Sequence, residues 1–174
     1  EAVGTACAVS RAIQANLTQL CEVTKDDRSP VTVADFAVQA IISLSLADQL
    51  GPLDRLIVGE EDAEVLRTDK QAFIRKAVLE AVQSWRPQIT ETEMLDAIDA
   101  CNHDGSGDGF WALDPIDGTK GFLRGQHYAI ALGRIENGKV VAGVMGCPNL
   151  SIDQSFPLCE VDSEGVMYAA SEGA

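Results

Sequence analysis

Apolar side chains at Val3, Ala6, Val9, Ile13, Leu17 and Leu20 recur at three- and four-residue steps, which predicts an amphipathic helix over residues 3–21. The polar stretch Lys25-Asp26-Asp27-Arg28-Ser29-Pro30 breaks that pattern, because proline disfavours helical geometry in the residue before it. A second helix is predicted over 33–50, apolar over one broad face and closed by Gly51-Pro52. Residues 56–58 read as a short strand that Gly59 ends. From 62 to about 104 the chain reads as helical and acidic, interrupted at Pro87, with a glycine-rich loop over 102–109. Residues 110–113 form a strand running directly into Asp114. Two further strands, 128–135 and 139–145, flank Asn137-Gly138, a pair that favours a two-residue hairpin loop. A last strand covers 166–170. This order predicts an α+β fold, a layered helix pair on an antiparallel sheet, and argues against a doubly wound parallel sheet.

Composition narrows the function. The 174 residues are 46% hydrophobic and 23% charged, which suits a folded core and rules out wholesale disorder. With 27 acidic against 13 basic residues the formal charge is -14, and the pI is near 4.3. Such a chain repels phosphate backbones, which argues against nucleic-acid binding. A phosphorylated ligand would need a cation beside it. The five cysteines form no CxxC, and their spacing suits neither zinc nor a disulfide framework, which predicts a reducing, cytoplasmic setting. The longest uncharged runs, 36–47 and 140–152, fall short of the ~20 residues of a membrane helix, so no membrane partner is expected. No basic-then-apolar signal opens the chain, and Glu1 looks like mid-helix, as in a processed or truncated protein.

Two clusters could carry chemistry. Gly59-Glu60-Glu61-Asp62 places three carboxylates at one strand exit, and Asp114-Pro115-Ile116-Asp117-Gly118-Thr119 places two more at another. Hard divalent cations such as magnesium take oxygen ligands, a few carboxylates and then substrate phosphate. Glu60, Asp114 and Asp117, with the Ile116 carbonyl between the two aspartates, could supply that set. The amides of Gly118 and Thr119 could hold the same phosphate. By spacing alone, plain turn and cap residues account for both clusters equally well. The loop 102–109, NHDGSGDG, resembles the opening of a calcium loop but lacks its later glutamate, so a flexible turn is the expectation. His103 and His127 lack partner spacing and read as structural, Trp85 and Trp111 as core, and Cys147 as a small buried apolar residue.

The motifs add a resemblance. WALDPIDGTKGFLRG over 111–125 resembles the signature of the inositol monophosphatase family of lithium-sensitive, magnesium-dependent phosphatases. IVGEED over 57–62 is similar to that family's upstream glutamate motif, and DRSPVTVAD over 27–35 to its loop between the first two helices. The continuation 120–125, the stretch 128–132 and Cys147-Pro148-Asn149-Leu150 are similar to the branch acting on 3'(2'),5'-bisphosphate nucleotides.

The resemblance implies two or three Mg2+ ions and inhibition by Li+. It makes Glu60, Asp114 and Asp117 metal ligands, joined by the Ile116 carbonyl, with Glu61 orienting a water. It pairs Asp35 with Thr119 to activate the attacking water, and gives the phosphate to Gly118, Thr119 and Lys120. Lys25, Lys120 and Arg124 are candidate phosphate contacts, with solvated turn residues as the alternative. The implied substrate is adenosine 3',5'-bisphosphate, yielding AMP, with its sulfated analogue and inositol 1,4-bisphosphate as further small-molecule substrates. An inositol-phosphate phosphatase of the same fold, or a truncated, inactive metal-binding domain, are the alternatives. The resemblance also implies that residues 1–174 are one N-terminal domain. The family's C-terminal domain, with its W-D-x-A aspartate and base contacts, is expected to be absent.

Overall fold

The computed structural model describes residues 1–16, 29–153 and 155–173. The apolar stripe of the N-terminus forms α1, Ala2–Ala15, and buries Val3, Ala6, Val9 and Ile13. Leu17, Leu20 and Lys25 lie outside the described residues. α2, Ser29–Gln49, starts earlier than the pattern predicts and is the centre of the fold. Val33, Ala34, Phe36, Ala37, Val38, Ala40, Ile41 and Ile42 are all buried along it. A helix apolar on every side must be covered on every side. Here α1, the sheet and two later helices cover it.

The acidic stretch after residue 62 is not one interrupted helix. It forms two 3-10 turns, Val65–Arg67 and Asp69–Gln71, then α3, Ala72–Gln83, and α4, Glu91–Asp99. Thr68 and Thr90 take extended backbone and reset the chain. Thr90 then opens α4 through a reciprocal capping box with Glu93.

The strands are β1, Ile57–Val58; β2, Gly109–Asp117; β3, Ala129–Glu136; β4, Lys139–Cys147; and β5, Val166–Ser171. They form one sheet in sequence order. A five-residue helix, α5, Thr119–Leu123, joins β2 to β3. Asn137 and Gly138 both have positive φ, 50° and 74°, and close the β3–β4 hairpin between Glu136 and Lys139.

The sheet corrects the expectation of an antiparallel one. β2 to β5 are antiparallel, but β1 lies parallel to β2, with Ile57 opposite Trp111 and Val58 opposite Ala112. The long helical connection between them makes this possible, since parallel neighbours need a crossover of a dozen residues or more. Its consequence is functional. Two parallel neighbours end on the same side, so the turn after Val58 and the end of β2 release their side chains together.

Because α2 is covered all round, Ile41→Ala should cost about 2–5 kcal/mol, read as a lower urea midpoint at unchanged slope. Val140→Ala, at a side chain 69% exposed, should stay within about 0.5 kcal/mol. Equal losses at the two positions would contradict this layering.

Candidate functional site

Strand β2 runs through Asp114 to Asp117, four residues beyond the stretch expected from its apolar pattern. Side chains three apart on a regular strand point to opposite faces. Here Asp114 pairs with Ala131 and Asp117 with Ala129, three steps against two, so one extra residue bulges out. The bulge restores the two aspartates to one side. Both are exposed, whereas Pro115 and Ile116 between them are buried. Proline has no N–H to give a ladder, and a bulge is where a strand tolerates it. The Ile116 N–H donates to the Asp114 carboxylate and fixes its direction. Gly118 then turns the chain with φ 92°, a left-handed conformation that suits glycine, and α5 begins at Thr119.

The second cluster sits beside the first because β1 adjoins β2. Glu60 is exposed and Glu61 half-buried in the turn after Val58. Gln39, fully buried on α2, holds that turn: its Oε1 accepts from the N–H groups of Glu60 and Glu61, at 3.1 and 3.0 Å. Its Nε2 donates to the carbonyls of Glu61 and Ile98, at 2.7 and 3.1 Å. Asp35 lies one helical turn before Gln39, half-buried, on the same side of α2.

The carboxylates crowd together. Burial, then the charges of Glu61, Glu60 and Asp114, push the Asp35 carboxyl up to about 8. Burial and Glu60 raise Glu61. Burial, Asp117 and Glu60 raise Asp114, against the opposing pull of the Ile116 N–H. Among the described residues no lysine or arginine contributes to these three shifts. Among the described residues no three carboxylates close around one ligation point. The set is all oxygen, charge-rich and open, which fits a hard divalent cation. A cleft of about 490 Å3 borders the same turn between Glu60, Glu61, Arg67 and Asp99, and none of Asp35, Asp114 and Asp117 lines it.

The structure therefore brings Asp35, Glu60, Glu61, Asp114 and Asp117 into one electrostatic group. Thr119, Lys120 and Arg124 are exposed around α5, which packs on α2. No hydrogen bond joins Asp35 to Thr119 among the described residues. His103 accepts from the Gly105 N–H at 3.1 Å, and His127 pairs with the Leu158 carbonyl at 3.0 Å, both local roles. Trp111 and Trp85 pack against the core, and Trp111 donates to the Asp54 carbonyl at 2.9 Å. In the 102–109 loop the Asp104 carboxylate is taken by the Ser106 N–H at 2.9 Å, as in an ordinary turn. Cys147 is buried, and the four described cysteines are free.

Sequence reasoning missed Gln39. Its signal was a lone amide inside an apolar run, four residues after Asp35. It also missed Gln14 of α1, which donates to the carbonyls of Phe122 and Gln126 at 3.0 and 3.1 Å and tethers the segment after the phosphate motif.

The sequence profile of the inositol monophosphatase family matches residues 1–173. The chain belongs to the inositol monophosphatase family. A 3'(2'),5'-bisphosphate nucleotidase of Schizosaccharomyces pombe is 46% identical over 159 residues, covering 85% of this chain and 43% of its own length. One of Emericella nidulans is 42% identical over 171 residues, covering 87% of this chain and 48% of its own. The 3',5'-bisphosphate nucleotidase 2 of Arabidopsis thaliana is 38% identical over 188 aligned positions, covering 100% of this chain and 54% of its own. The chain thus spans about half the length of these relatives. Among the described residues no helix is long and apolar enough to cross a membrane.

The raised Asp35 value fixes a sign for pH. An unfolded aspartate ionises near its ordinary 3.8, whereas the folded one holds its proton to about 8. Between these values the folded chain binds more protons, so stability falls as pH rises. In chelator, wild type should therefore melt lower at pH 8.5 than at pH 5.5, and Asp35→Asn should shrink that difference. An unchanged difference in the variant would contradict the buried, uncompensated Asp35.

Proposed function

We propose that the protein is a magnesium-dependent phosphatase that removes the 3'-phosphate of adenosine 3',5'-bisphosphate, giving AMP and phosphate. The observation that carries this reading is the meeting of the Asp35, Glu60, Glu61 and Asp114 carboxylates in one acidic group. They meet in a family chain whose relatives are named for bisphosphate nucleotides.

In this reading Glu60, Asp114, Asp117 and the Ile116 carbonyl hold magnesium. A cation there neutralises the phosphate and makes the attacking water more acidic. The exposed amides of Gly118 and Thr119 and the ammonium of Lys120 receive the phosphate oxygens. Asp35, with the Thr119 hydroxyl as relay, takes a proton of the attacking water, which forms the new P–O bond as the bond to the 3'-oxygen breaks, and the leaving 3'-oxygen takes up a proton from solvent. Glu61 orients that water.

Residues 1–174 then form one metal-binding domain, and the remaining length of the relatives supplies a further aspartate and the base contacts. The sulfated analogue and inositol 1,4-bisphosphate share the required chemistry. Lithium competes for the magnesium site. The five cysteines form no CxxC, and a cytoplasmic setting is part of the same reading.

Phosphate release by the full-length protein tests the reading, with adenosine 3',5'-bisphosphate beside inositol 1-phosphate. Turnover of the nucleotide that needs magnesium and is lost in lithium is expected. Preference for inositol 1-phosphate, or indifference to both cations, would overturn it. Asp114→Asn should abolish magnesium dependence together with activity. Asp35→Asn should lower kcat by about 100-fold or more while leaving magnesium affinity nearly unchanged.

A further inference from the structure

The acidic turns of this chain differ in what their backbone N–H groups do. Asp62 folds back onto the N–H of Glu64 at 2.7 Å, and Asp153 onto that of Ser155 at 2.8 Å. Asp162 accepts from Glu164 and Gly165, at 2.6 and 3.0 Å. In each the carboxylate is consumed by its own turn. At Glu60-Glu61 the N–H groups are instead taken by Gln39 from a different element. Neither glutamate is drawn onto the local backbone.

The Gln39 amide is fully used. A side-chain amide has two acceptor sites and two donors. All four are filled, by the N–H groups of Glu60 and Glu61 and the carbonyls of Glu61 and Ile98. A flipped amide would set its NH2 against two backbone N–H groups, so the orientation is fixed by its partners. The fit depends on Gly59, where an added Cβ would lie 2.6 Å from Gln39 Oε1 and 2.7 Å from Cys101 Cβ. The peptide N–H of Gly59 is itself anchored to the Cys101 carbonyl at 2.8 Å. No other side chain among the described residues reaches the N–H groups of both glutamates.

We infer that Gln39 is a positioning residue. By capturing the two turn amides it leaves the Glu60 carboxylate free and aimed at the Asp114–Asp117 bulge, and so sets cation affinity without touching the cation. The inference rests on the proposed metal site.

Calorimetric titration of the full-length protein with Mn2+ tests it, alongside the magnesium dependence of phosphate release. Q39M is near in volume but offers no amide. It should weaken Mn2+ binding by about 10- to 100-fold, as loss of a ligand-orienting partner does. It should also raise the half-saturating magnesium more than it lowers kcat at saturation. Q39E keeps two acceptors for the turn amides but sets its other oxygen against the Glu61 and Ile98 carbonyls, so it should recover only part of the affinity. Val78→Ala, in the buried face of α3, should lower stability and leave Mn2+ affinity unchanged. Should Q39M fail to fold, Q39N, whose amide is one methylene short of the turn, gives the same comparison. Wild-type affinity in Q39M, equal weakening in Q39E, or an equal shift in Val78→Ala would each overturn the assignment. Mn2+ binding that Q39M weakens, in a protein that hydrolyses no bisphosphate, would sustain the positioning role while removing the proposed activity.

Discussion

Like charges crowded together are the constraint on which the architecture turns. Asp35, Glu60 and Asp114 come from positions far apart in the chain, yet Glu60 raises the proton affinity of both aspartates, and Asp114 that of Asp35. Left to themselves, flexible carboxylates would separate into solvent. Three different devices prevent it here. α2 is covered on all sides, so Asp35 cannot move without moving the core. A one-residue bulge points Asp114 and Asp117 the same way, while Pro115 and Ile116 anchor the strand inward. A buried amide pins the turn that carries Glu60 and Glu61.

The rest of the domain can be read as support for that arrangement. Placing β1 parallel to β2 lets two strand exits open side by side, and the helices of the crossover cover α2 on the way. Beyond Gly118, α5 is too short to be stable by itself. Its core residue Phe122 is fully buried edge-on to Tyr128, with ring centroids 4.9 Å apart. Gln14 and Asn149 tie the following segment back to α1, Asn149 donating to Gln14 at 2.7 Å and to the Gln126 carbonyl at 2.7 Å. The segment that would meet phosphate is thus held from below and open above.

Much of this was legible in the sequence, and the failures share a cause. Periodicity located both N-terminal helices, and Asn137-Gly138 located its hairpin, because those signals are local. The two carboxylate clusters were legible as strand exits for the same reason. The parallel β1–β2 pairing was not, since nothing within two residues of strand records its neighbour's direction. The end of β2 was misplaced because proline and two aspartates read as a turn, whereas a bulge lets the strand continue through them. The 62–104 stretch lost its breaks at Thr68 and Thr90 to an otherwise helical composition. Gln39 was hidden because one amide in an apolar run says nothing about four backbone partners.

The central claim is that Glu60, Asp114, Asp117 and the Ile116 carbonyl form one cation site. Its most direct test is a crystal of the full-length protein grown with Mn2+, with the metal located by anomalous scattering. The account predicts a peak between the turn after β1 and the bulge of β2, in contact with Asp114 and Asp117 and within reach of Glu60. A manganese peak elsewhere, with these carboxylates bound only to solvent, would contradict it.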